Sequence, residues 1–230
     1  MSKIVFKNKD LLVINKPAGI SSQRDTTDGE SVVEEIATYL RETGESDTLF
    51  TVHRLDKVVG GLLVIARNKK TAASLSAAVD SEDFSKDYIA VVDGLPIEGE
   101  LCDYLVKNPV SSKAEVVSSD KKGAKKALLT LAVISSQQTA KGIKSLVKIK
   151  LSTGRYHQIR AQLSSRGNSL VGDKKYGNKD FGTRMPALFA YKLSFFDGKE
   201  PLSFSVLPDI KSYPWNIFDI KKYEDLLNDN

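Results

Sequence analysis

"VHRLDKVVGGLLVIAR", residues 52–67, is a polar turn that runs directly into an apolar strand. His53, Arg54, Leu55 and Asp56 are consecutive, and after Gly60 and Gly61 the segment Leu62–Ala66 is apolar until Arg67 closes it. A continuous Leu/Val/Ile run of that length predicts a strand covered on both faces. Asp56 then belongs to a loop at a strand end, where sites are commonly built. Working outward, similar runs predict strands at 10–16, 87–94, 124–135, 145–152, 187–196 and 202–207. In 145–152, Val147, Ile149 and Leu151 fall on one face and Lys148 and Lys150 on the other, a half-buried strand with a basic outer side. Helical spacing predicts helices over 29–44, 68–80 and 155–167, and a final helix in the tail containing Trp215, Phe218 and Leu226. Strands outnumber helices and several meet through short turns. The expected class is α+β, a mixed, largely antiparallel sheet with flanking helices and loops.

The 230 residues suffice for a well-buried core. No repeat and no linker-like stretch divides them, so 1–230 reads as a single domain. The single cysteine, Cys102, rules out a disulfide framework and a cysteine-based metal site, and suits a reducing compartment. Lys7 and Lys9 interrupt the N-terminal apolar residues, so no signal peptide is expected, and nothing approaches a membrane span. The expectation is a cytoplasmic monomer with no membrane partner. Net charge is +5, with lysines grouped at 120–129, 140–150 and 172–179 and with Arg155, Arg160 and Arg166 between the last two groups. Each run alone is an ordinary solvated face. Several flanking one candidate site point to a polyanionic partner.

The chain has two histidines, His53 and His157, each inside a small Arg-containing cluster. Neither HxH nor HExxH occurs, nor the GxSxG elbow of a serine hydrolase, nor a phosphate-binding GxxxxGK[ST]. A sugar hydrolase would need two carboxylates across one bond, and only Asp56 stands out. One acid, several arginines and a basic surface remain, with no metal or cofactor signature. In 155–167, Ile159 and Leu163 can anchor a helix from which Arg160 projects to meet a carboxylate or a phosphate. Taken singly, each feature has a plain structural reading: an Arg–Asp pair, an exposed arginine, a strand tyrosine at Tyr88.

Taken together, "LLVINKPAG", "HRLD" with "GGLLVIAR", "YIAVVDG" and "TGRYHQIRAQLSSRGNSLVGDKKYG" resemble the successive motifs of the RluA-type pseudouridine synthase family, in the family's order, from residue 11 to about 207. The resemblance implies a pseudouridine synthase fold whose sheet is divided by a basic active-site cleft. It also implies isomerisation of a uridine in 23S rRNA or tRNA, with no cofactor and no metal. It makes Asp56 the catalytic aspartate, Arg160 the arginine paired with it, and Tyr88 the tyrosine against the target uracil. Ile159 becomes an apolar wall and Arg54 the residue that fills the place of the flipped base. His53, Arg155 and His157 become neighbouring structural or RNA-contact groups, and the lysines at 121–126 and 174–179, Lys174 among them, contacts to the RNA backbone. Two departures stand out: Val59-Gly60-Gly61 where many members have Thr-Ser-Gly, and Tyr156 where a small hydroxyl residue is usual. The first keeps open a second reading, a non-catalytic RNA-binding protein of ribosome assembly on the same scaffold.

Overall fold

The apolar run after the glycines forms strand β4 (Gly60–Ala66), every residue of which is buried. The computed structural model describes residues 2–24, 29–79, 81, 83–177, 182–183 and 185–228. They divide into two compact units, one made of Met1–Lys86 with Ala190–Pro208 and the other of Asp87–Phe189 with Asp209–Asn230.

In the first unit, β1 (Lys3–Lys7), β2 (Leu11–Lys16) and β4 lie side by side in antiparallel order. The short β3 (Phe50–Thr51) also pairs with β4. On the other side of β4 lies β10 (Leu188–Phe196), which carries the antiparallel β11 (Pro201–Ser205). Gly61 is dictated by that neighbour. Its φ is +119°, and a Cβ built there would lie 2.2 Å from the Ala190 carbonyl oxygen. One face of the sheet buries Leu11, Val13, Leu62 and Val64 against Leu75, Phe84, Leu193 and Phe195. Leu75 comes from helix α2 (Lys69–Val79). Helix α1 (Val32–Glu42) opens on a reciprocal cap: the Ser31 hydroxyl accepts from the Glu34 N–H, and the Glu34 carboxylate accepts from the Ser31 N–H.

In the second unit the order is β5 (Phe84–Asp93, from Asp87 on), β9 (Gly142–Leu151), β8 (Lys125–Thr139), β6 (Gly99–Asn108) and β7 (Lys113–Val117), each antiparallel to the next. Helix α3 (Gln158–Ser164) packs on β6 and β7, with Ala161 among Leu105, Ala114, Ala127 and Tyr176.

The α+β class and all seven strands expected from the sequence are present; β1, β3, β6 and β7 are additional. The tail forms no single helix. It makes two 3₁₀ turns, Trp215–Ile217 and Ile220–Tyr223, and a short α4 (Glu224–Asn228). Pro214 initiates the first turn and Asp219 separates it from the second, so Trp215 and Phe218 are buried from turns. The alternation expected in 145–152 is present, with Val147 and Ile149 buried, Lys148 half-buried and Lys150 exposed. Lys144, just before that stretch, is 3% exposed and pairs with Asp93. Among the described residues, no helix is long and apolar enough to cross a membrane.

Candidate active site

Residues 52–57 are held by the loop that follows β2. The Ser22 hydroxyl accepts from the Leu55 N–H at 3.0 Å and donates to the Leu55 carbonyl at 2.8 Å, so both backbone groups before Asp56 are fixed by one side chain. The Lys57 carbonyl, on the other side of Asp56, accepts from the Gly19 N–H at 2.7 Å. The Val59 N–H then closes a turn onto the Asp56 carbonyl at 2.9 Å. Leu55 is buried beneath, Arg54 and Lys57 are exposed, and Asp56 is half-buried between them.

Lys16, the last residue of β2, is fully buried. Its ammonium donates to the carbonyls of Pro17 at 3.0 Å, Ile20 at 2.8 Å and Lys57 at 3.4 Å. Burial pushes its pKa down to about 8, and the negative charge of Asp56 opposes that shift. Asp56 is therefore presented by a fixed backbone within the field of a buried cation. The sequence singled out the aspartate but not the lysine, although both lie in quoted motifs.

His53 is structural. Its Nε2 accepts from the Val64 N–H at 3.2 Å, its ring meets Phe84 edge-on at 5.3 Å, and its buried Nδ1 has no partner among the described residues. An Nε2 that accepts leaves the proton on Nδ1. Burial, with the charge of Lys86 in support, pushes the ring's pKa down to about 3, so it is neutral.

The second cluster belongs to the other unit. The helix begins one residue after His157, which is its N-cap in a left-handed conformation (φ 52°), so it starts at Gln158 and not at the expected Arg155. The Gln158 side chain builds the turn: its carboxamide oxygen accepts from the Arg155 N–H and the Thr153 hydroxyl, and its amide donates to Leu128. The strained cap is held from two sides. Tyr156 stacks on the imidazole at 3.8 Å, and Tyr176 Oη lies 2.9 Å from Nδ1. Tyr176 Oη also accepts from the Ala114 N–H at 2.6 Å, so one hydroxyl ties the cap to β7. Burial, then Arg160, Lys175 and Lys107, push the pKa of His157 down to about 3.

Arg160 is 5% exposed and forks onto Asp173, Nε to Oδ2 at 2.7 Å and Nη2 to Oδ1 at 2.8 Å. Asp173 is itself 1% exposed and also accepts from the N–H groups of Lys175 and Tyr176. The guanidinium lies 5.0 Å from the Tyr176 ring centroid. The alternative of an exposed, phosphate-binding arginine does not describe this residue. Sequence reasoning missed Asp173, yet a signal existed: it is the sole carboxylate between Gly154 and Gly177. Ile159 is buried beside Arg160, Arg155 and Lys174 are exposed, and Tyr88 is buried in β5 opposite Ile149. Lys179, the last lysine of the basic run that starts at Lys174, lies outside the described residues. Asp56 thus belongs to one unit, and Tyr88, His157, Ile159 and Arg160 to the other.

The model of the RNA pseudouridylate synthase family matches residues 10–165, which include the Asp56 loop, Tyr88 and Arg160. The chain is 35% identical over 181 residues to ribosomal large subunit pseudouridine synthase D of Zymomonas mobilis, covering 76% of this chain and 56% of that one. It is 26% identical over 197 residues to tRNA pseudouridine synthase C of Pectobacterium carotovorum, covering 83% and 52%. The chain therefore spans a little over half the length of these relatives. Its fold is similar to that of human RNA pseudouridylate synthase domain containing 1, with a TM-score of 0.80 at 21% identity, over 100% of this chain and 96% of that one. The chain belongs to the RNA pseudouridylate synthase family.

Proposed function

We propose that the chain isomerises a uridine in structured RNA of the large ribosomal subunit or tRNA to pseudouridine, in the cytoplasm, with Asp56 as its catalytic carboxylate. The observation that carries the reading is the mounting of Asp56. Its flanking peptide groups are fixed by Ser22 and Gly19, and the buried ammonium of Lys16 favours its ionised form. That is the placement of a reacting group on a rigid support.

The reaction conserves composition. The bond between C1′ and N1 breaks, the uracil turns, and C5 bonds to C1′; C5 loses a proton and N1 gains one. Neither water nor a redox partner enters the balance, so a single carboxylate suffices, acting on C1′ as a nucleophile or on the C2′ proton as a base. Tyr88 would lie against the uracil, Ile159 would wall it, and the Arg160 guanidinium would hold the carboxylate ionised. Extracting the nucleotide from its stack costs roughly a few kcal/mol. Exposed Arg54 is suited to filling the vacated place.

A carbodiimide map of pseudouridines in total RNA, from cells with the gene intact, deleted or carrying Asp56→Ala, tests the reading. Loss of the same site in the deletion and the Asp56→Ala strain is expected, and the lost site names the RNA. An unchanged map, together with RNA binding by the purified protein, would replace this reading with a non-catalytic RNA-binding role.

A further inference from the structure

The departure at Tyr156 has a structural role that no family motif accounts for. Its ring is 40% exposed and lies between the His157 imidazole and the Lys107 ammonium, which is 4.6 Å from its centroid. Its hydroxyl donates to the Ser112 carbonyl at 3.1 Å. Lys107 and Ser112 belong to the β6–β7 hairpin, so one aromatic side chain pins that hairpin to the start of α3. The next cations follow through contacts. Lys113 lies 5.8 Å from the Tyr176 ring, and Tyr176 is bonded to His157. Arg155 Nε donates to the Lys126 carbonyl at 3.0 Å, which fixes a second exposed basic position beside the first.

Lys107, Lys113 and Arg155 thus cluster around Tyr156 and Tyr176, and none of the three is in an ion pair among the described residues. A solvated lysine run is mobile and indifferent to its neighbours. Here two cations are seated on rings and a third on a peptide carbonyl, and each keeps donors to spare. Such preorganisation lowers the ordering cost of binding a polyanion.

We propose that this cationic cluster, riveted by Tyr156, is the docking surface for the phosphate backbone of the substrate RNA. Tyr156, which seats the cluster, is therefore a determinant of which RNA the chain selects. The inference rests on the proposed function and deepens it. Bound RNA engages Lys107, Lys113 and Arg155 through phosphates, and Tyr156 sets the spacing between them.

The test is the salt dependence of binding to an RNA fragment that contains the pseudouridine lost in the deletion strain. Each phosphate contact to flexible RNA contributes roughly 0.7 to the slope of log K against log salt. The triple variant Lys107→Gln, Lys113→Gln, Arg155→Gln is expected to lower that slope by about 2. A charge-matched control, Lys211→Gln, Lys221→Gln, Lys222→Gln, should lower it by less than about 0.7. Tyr156→Ser retains every charge; its expected effect is a roughly tenfold or greater loss of affinity for that fragment, with less loss for unrelated RNA. Equal slopes for the triple variant and the control would overturn the proposal, as would a Tyr156→Ser protein that is folded by circular dichroism and binds like the wild type. If the wild-type protein modifies its RNA while these variants behave as the control does, only the docking surface fails. A wild type that neither modifies nor binds RNA would sink the proposed function itself.

Discussion

At the scale of single residues, two buried charges meet opposite fates. Lys16 keeps its ammonium by donating to three carbonyls, and burial depresses its pKa from 10.5 to about 8. Between about pH 8 and 10.5 the unfolded chain holds a proton that the folded chain has released, so this group makes stability rise with pH across that window. Lys16→Met removes the donor and strands the carbonyls, at a cost of about 1–3 kcal/mol, and abolishes the alkaline gain. Urea melts at pH 7.5 and 9.5 measure both effects, and an unchanged gain in the variant would contradict the assignment. Arg160 instead is forked onto a buried carboxylate, Asp173. With Asp173→Asn, a buried guanidinium loses its counter-charge, and the expected loss is about 3–5 kcal/mol by denaturant melts. A loss below about 1 kcal/mol, the range of exposed pairs, would mean that solvent reaches the pair.

At the scale of elements, legibility followed how completely a strand is covered. The runs at 10–16 and 61–67 were plain because β2 and β4 are buried along almost their whole length, which demands uninterrupted apolar side chains. β1, "KIVFK", alternates exposed and half-buried residues, and β6 and β7 mix exposed charge with scattered apolar positions, so their patterns are too weak to read alone. Helix α3 was legible in its body but not in its first residue, because a histidine in a left-handed cap has no sequence signature comparable to glycine's. In the candidate site, Asp56 stood out from its motif, while Ser22 acts on distant Leu55, and Lys16 and Asp173 act through contacts that only the folded loops create. Gly61 shows the reverse case, a glycine plain in the sequence whose reason only packing supplies. Gly61→Ala would press a methyl group onto the Ala190 backbone at a positive φ, and a loss of about 2–5 kcal/mol is expected. Gly29→Ala, at an open position, serves as the control in the same thermal melts.

At the scale of the whole molecule, both histidines of the chain are held neutral, one in each unit, with pKa values pushed down to about 3. An unfolded histidine takes up its proton near pH 6.5, so stability is fully present above that value and is lost as pH falls toward about 3. His53 contributes roughly 1 kcal/mol per pH unit inside the window, and His157 less, because its ring is partly open to solvent. His53→Gln should flatten the profile between pH 6 and 4 in chemical denaturation. A variant as acid-sensitive as the wild type would show that carboxylates govern the profile.

The first unit is discontinuous in the chain: β4 precedes residues 87–189, and all but the first two residues of its neighbour β10 follow them. On a translating ribosome, β4 emerges about 130 residues ahead of the end of β10, a delay of roughly 6–26 s at 5–20 residues per second. Throughout that interval an apolar strand with an unpaired edge is exposed to other nascent chains. Gly61 sharpens the hazard, since the bare backbone that admits Ala190 would admit a foreign strand equally well. Expression yield should thus respond to what shields the nascent chain during synthesis, and fragments that stop before β10 should be recovered in inclusion bodies.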